Sequence, residues 1–282
     1  MFIQSKNRMK YFVYSCLLLA LFTAKAHAQI KLSKQWTTDS ILQVPESVLY
    51  SKADNILYVS IIGGNPAVNG KGAIAKLTQE GQIIDSNWIT GLNAPKGLGR
   101  YGNLLYVADV TEVVVIDIAK GAIAYKIPID SAVFLNDITI DIQGAVYVSD
   151  SRRNTVHVIR RKQASLYLSN LNNVNGLLAT PETFYAVSAG RLLAFDEAKK
   201  MTVLASGMEK STDGLVQLSE EEFIVSAWIG VIYYVKKDGT VRTLEDFRST
   251  QTNTADLGYN PKTKTLFVPT FYKKSVMSYK VY

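Results

Sequence analysis

Short runs of β-branched and aromatic residues punctuate the chain at a regular interval. Leu57-Tyr58-Val59-Ser60, Leu105-Tyr106-Val107-Ala108, Val146-Tyr147-Val148-Ser149, Tyr185-Ala186-Val187-Ser188, Phe223-Ile224-Val225-Ser226 and Leu266-Phe267-Val268-Pro269 share one pattern. Branched and aromatic side chains pack well on a pleated surface, so these runs predict strands. Anchored on the valine, they lie 48, 41, 39, 38 and 43 residues apart. A repeat of about 40–45 residues holding four short strands is the sequence form of a propeller blade. In the third unit, 138–141 is the expected inner strand, 145–149 the second, 155–159 the third and 165–168 the fourth. Turn-forming residues separate them: Gln143-Gly144, Arg152-Arg153-Asn154 and Arg161-Lys162-Gln163. No segment has the period of an amphipathic helix. The sixth unit runs out at 275–282, its third strand, so its fourth is expected from 30–36 near the amino terminus. The fold class predicted is all-β: a six-bladed β-propeller with four antiparallel strands per blade. Its ring would be closed by the amino-terminal strand in the last blade, which protects the sheet edges.

The first residues follow a different pattern. Lys6, Arg8 and Lys10 precede an apolar run over 11–24, and Ala26-His27-Ala28 is a small-x-small cleavage site before Gln29. This is the layout of a secretory signal peptide over residues 1–28, leaving 29–282 as one domain. The run is shorter than the ~20 residues a bilayer span needs, and no later segment is long or apolar enough. The mature protein is expected to be exported, periplasmic or secreted, after cleavage near Ala28.

Composition then changes the picture in two ways. The net charge of +7 falls to +3 once Lys6, Arg8, Lys10 and Lys25 are removed, because residues 1–28 hold no acid. A nucleic-acid partner is therefore not expected. Cys16 and His27 also lie in the leader, leaving no cysteine and only His157 behind it. That excludes thiol chemistry and a two-histidine zinc site in the mature chain.

Counting back from each anchor valine to the start of its inner strand gives a second repeat. Asn136, Asn175, Asp213 and Asp256 lie twelve residues back, Glu46 thirteen and Lys96 eleven. Equivalent inner-strand starts converge on the axis at one face, so these six groups are expected to ring one opening. The ring holds three carboxylates and one lysine. Crowded, partly desolvated carboxylates repel one another, and a divalent cation relieves this. The oxygen donors Glu46, Asn136, Asn175 and Asp213 suit calcium first, with magnesium, manganese or zinc as alternatives. Each Asn-Gly or Asp-Gly taken alone is also an ordinary turn dipeptide. Loops on the same face offer a substrate pocket of Asn65, Asp109, Phe134, Asp150, Trp228, Asp256, Phe271 and Tyr272. For Trp228 and Phe271 the alternative is packing between blades.

These residues resemble the senescence-marker-protein/gluconolactonase family, which includes regucalcin and secreted lactonases. The resemblance covers nearly all of 29–282 at the level of blade motifs. It rests on Pro45-Glu46, Asn136-Asp137, Asn175-Gly176 and Asp213-Gly214, in order and at blade spacing. It implies a six-bladed propeller with one axial divalent cation held by Glu46, Asn175 and Asp213, with Asn136 near metal or substrate. Family members that open sugar lactones tend to carry an arginine two residues before the Asn-Asp pair, where this chain has Phe134. The paraoxonase relatives use histidines near the metal, whereas His157 falls in a third strand. The expected function is metal-dependent hydrolysis of a small-molecule lactone or ester, with Asp213 as general base, Asn136 orienting and Lys96 holding an oxyanion or carboxylate. The alternative is a non-catalytic propeller that binds a small ligand or a protein partner, of unknown identity, at the same face.

Overall fold

The computed structural model describes residues 29–64 and 68–282. The expected signal peptide over 1–28 and the expected pocket residue Asn65 lie outside the described residues. Residues 31–282 form one compact unit of six four-stranded sheets. The neighbouring strands within them pair antiparallel. The protein is thus a six-bladed β-propeller. In chain order the inner strands are Pro45–Ser51, Pro95–Tyr101, Leu135–Ile140, Val174–Ala179, Thr212–Ser219 and Gly258–Asn260. Two short 3-10 turns, Arg248–Thr250 and Phe271–Lys273, are the helical elements among the described residues. No helix there is long and apolar enough to cross a membrane.

The third blade runs Leu135–Ile140, Val146–Asp150, Thr155–Arg160 and Gln163–Leu168. Its inner strand starts three residues earlier than the apolar pattern implies, because Leu135 already pairs with Asp150 ahead of the regular ladder. In the last blade Leu32–Thr37 lies outermost, paired with Val276–Val281. The Trp36 indole donates to the Gln79 carbonyl of the first blade at 3.0 Å. At the axis the last and first blades meet directly, through a parallel bridge between Ser47 and Asp256.

Burial explains why the valine-centred runs stand out in the sequence. They are the second strands, covered on both faces by neighbouring blades: all five residues of Val146–Asp150 and of Phe184–Ser188 are buried. A strand buried on both sides reads as a continuous apolar run. Outer strands such as Ala122–Pro128 are largely exposed and carry weaker patterns. The core is therefore a set of layers between sheets. One layer packs Tyr147, Val156 and Val158 against Leu177, Phe184 and Phe195. The next packs Tyr185 and Val187 against Phe223, Val225 and Val235. The apolar core lies off the axis, and the first residues of the inner strands are left to line it.

Candidate functional site at the axial ring

One local device positions the ring. In five blades the ladder between inner and second strand skips a residue, between Pro45 and Val48, Pro95 and Leu98, Leu135 and Ile138, Val174 and Leu177, and Thr212 and Leu215. Each skip is a β-bulge, three inner-strand steps against two on the partner. A bulge leaves a residue outside the ladder and re-aims its side chain. The residues so released are Glu46, Lys96, Asn136, Asn175 and Asp213, each two positions before the first regular pair. The uneven count from the valines reflects hairpins of different length. In the sixth blade Asp256 is fixed instead by its N–H, which donates to the Glu46 carbonyl at 2.9 Å.

The serine that closes the repeated Val-Ser pattern faces this bulge. Ser60 Oγ accepts from Ser47 N, Ser149 Oγ from Asp137 N and Ser226 Oγ from Gly214 N, at 2.8–2.9 Å. These hydroxyls satisfy N–H groups that the bulge takes out of the ladder. The glycines after Asn175 and Asp213 serve close approach, not a turn. A Cβ on Gly176 would lie 2.2 Å from the Asp213 carbonyl oxygen, and one on Gly214 2.4 Å from Leu257 N.

Around the axis, Glu46, Lys96, Asn136 and Asp213 are buried. Asn175 Nδ2 donates to Asp213 Oδ1 at 3.1 Å. Asn175 Oδ1 and Glu46 Oε2 are buried without a hydrogen-bond partner. Asn136 spends its amide N–H on Ser151 Oγ at 3.0 Å, and Ser151 donates on to the Val174 carbonyl. Lys96 Nζ donates to the Ala94 carbonyl at 3.1 Å. Ser47 Oγ donates to Asp256 Oδ2 at 2.5 Å. Asp137 joins the ring as a fourth acid, accepting from Ile138 N and Leu177 N, each at 2.6 Å. It ties blade three to blade four.

The electrostatics follow from crowding. Burial, then the nearby Asp213 carboxylate, pushes Glu46 well above the usual carboxylate range. Burial, then Asp256, does the same to Asp137 and to Asp213. Burial lifts Asp256 to about 6 against the hydrogen bond from Ser47. Burial lowers Lys96, opposed by the attraction of Glu46. Crowding four acids around one lysine disfavours their charged forms, and a cation entering the ring relieves this.

The pocket residues divide. Asp109 and Asp150 are fully buried and do not line an open pocket. Asp109 accepts from Asn93 N and Ala94 N, and Asp150 from Val133, Phe134, Arg152 and Arg153 N. They clasp loops, a role their turn-like neighbours conceal in the sequence. Phe271 is also packed, against Val44, Ile62, Ala94 and Ala255 beside the ring. Trp228 and Tyr272 stand edge-on to it, at 5.6 and 4.8 Å between centroids, and are open to solvent. Phe134 lies under the Lys96 ammonium. His157 is buried in its strand, with Thr155 Oγ1 3.3 Å from Nε2. The expectations missed Asp137, although it follows Asn136 directly, because they took one residue per blade. They also missed the serines, whose signal was the repeated Val-Ser.

Among the described residues no cluster of three or more His, Cys, Asp or Glu side chains is arranged to hold a metal. What the ring offers is a mixed set of carboxylate and amide oxygens.

The fold and this axial face define the class as a six-bladed propeller with a polar, acid-rich axial mouth. No family model matches the sequence, and no curated protein matches it. Solved structures do share the fold. A catalytically inactive virginiamycin B lyase from Staphylococcus aureus with quinupristin superposes with a TM-score of 0.64 at 10% identity, covering 89% of this chain and 99% of that one. A chain of the nidogen/laminin complex gives 0.62 at 15% identity, covering 77% and 85%. At such identities the likeness is one of fold.

Proposed function

We propose that the protein is an exported metal-dependent hydrolase of small lactones or esters, of the gluconolactonase type, working at the axial ring. The observation that carries this reading is the pair of orphaned oxygens, Glu46 Oε2 and Asn175 Oδ1, buried without partners in a ring of acids. Buried polar atoms are normally satisfied, and an unsatisfied pair of hard donors beside an acid calls for a cation. Glu46, Asn175 and Asp213 would hold it, calcium before magnesium, manganese or zinc. When bound, such an ion supplies carbonyl polarisation and a more acidic water. Asp213, oriented by the Asn175 amide at Oδ1, would act as the general base. Asn136, held by Ser151, orients the reacting group, and Lys96 presents the ring's one positive charge to the ligand.

The test is thermal unfolding of the chelator-stripped protein with and without millimolar calcium, magnesium, manganese or zinc. At about 100 times its dissociation constant, an ion that binds only the folded state adds about 2.7 kcal/mol. The expected result is an upward shift that Glu46→Gln and Asp213→Asn both abolish, with lactone or ester hydrolysis lost in chelator. No shift with any of the four ions overturns the reading. The exposed Trp228, Ile229 and Tyr272 beside the ring favour a second reading, a binding propeller without turnover. A calcium shift with no hydrolysis across a broad lactone and ester panel selects it.

A further inference from the structure

Phe134 carries two cations on one ring. The Lys96 ammonium lies 4.3 Å from its centroid and the Arg152 guanidinium 4.7 Å. The two reach it from different blades, Lys96 from the bulge of the second and Arg152 from the loop after Val146–Asp150 in the third. Like charges so placed repel, and Arg152 adds to the burial that depresses Lys96. Neither is in an ion pair among the described residues. Asp109 beside Lys96 gives its oxygens to backbone N–H groups. Asp150 accepts from the Arg152 backbone and leaves the guanidinium free of it. Arg153, one residue on, turns its own guanidinium to the Ser131 carbonyl.

An ammonium and a planar guanidinium held over one aromatic ring, with the loop acids Asp109 and Asp150 committed to backbone N–H groups, make a seat for an anion. We propose that Lys96 and Arg152, backed by Phe134, bind a carboxylate on the ligand, at the rim of the axial ring. A carboxylate fits better than a phosphate because Glu46, Asp137, Asp213 and Asp256 lie nearby and oppose a second negative charge. Only the identity of the ligand's other end, a lactone or ester carbonyl, rests on the hydrolase reading.

The test is calorimetric titration of the purified protein with hexanoate, hexanamide and inorganic phosphate, with and without calcium. Hexanoate is expected to bind and hexanamide not to. Arg152→Gln, at an exposed position, weakens hexanoate by about tenfold or more. Arg152→Lys weakens it less, and Arg153→Gln leaves it unchanged. Equal binding of hexanamide, unchanged affinity in Arg152→Gln, an equal loss in Arg153→Gln, or tighter phosphate than hexanoate each overturns the proposal. Hexanoate binding that persists without a calcium shift upholds the seat while the hydrolase reading fails.

Discussion

Ser226 shows how much a single hydroxyl does at the ring. It accepts from Gly214 N and donates to the Ala255 carbonyl, joining the fifth blade to the sixth. Ser226→Ala strands two buried backbone groups, at a cost of about 1–3 kcal/mol; urea unfolding should show the midpoint falling with the slope unchanged. Asp256 makes a prediction about pH. Its proton is held more tightly folded, at about 6, than at the ordinary 3.8. Its stabilising contribution is therefore complete below the ordinary value and is lost as pH rises through about 6. The metal-free protein should melt at a lower temperature at pH 7 than at pH 5, and Asp256→Asn should flatten that difference. At this scale the place of Glu46, Asn175 and Asp213 in the axial ring was legible because identity and spacing coincided. Asp109 and Asp150 were not, since a carboxylate that clasps a loop and one that meets a ligand look the same in sequence.

Inner strands of neighbouring blades pack backbone against backbone at the ring. The contact of Gly176 with the Asp213 backbone leaves no room for a methyl group. Gly176→Ala should destabilise by about 1–3 kcal/mol through overpacking. If the ring holds calcium as proposed, it should also weaken that binding, because Asn175 and Asp213 must move apart; titration calorimetry on the folded fraction checks this. The strands themselves were readable, since a run buried on both faces has to be apolar and branched. The bulges were not. A bulge changes which residues pair without changing which are apolar, so nothing in the hydrophobic pattern marks it. The Asn-Gly and Asp-Gly pairs, open to a turn reading in sequence, are strand residues because neighbouring backbones press against the glycine.

At the scale of the whole molecule, the blades are held as a ring by contacts between the last sheet and the first. Trp36, in the outermost strand of the last sheet, packs on Phe267 of the same sheet at 5.9 Å between centroids and donates to Gln79 of the first. Trp36→Ala should cost about 2 kcal/mol, below the range for a fully buried tryptophan, and make residues 32–37 the first to exchange their amide protons. Six repeats of near-constant length made this architecture the most legible feature of the chain. The five bulges carry a consequence of another kind. Because Glu46, Lys96, Asn136, Asn175 and Asp213 stand outside the ladder, their identities can change without a sheet hydrogen bond being broken or a core layer disturbed. Scaffold and chemistry can then drift at separate rates. A lineage built this way can exchange one ligand or reaction for another by altering a handful of side chains, while the six sheets that hold them stay as they are.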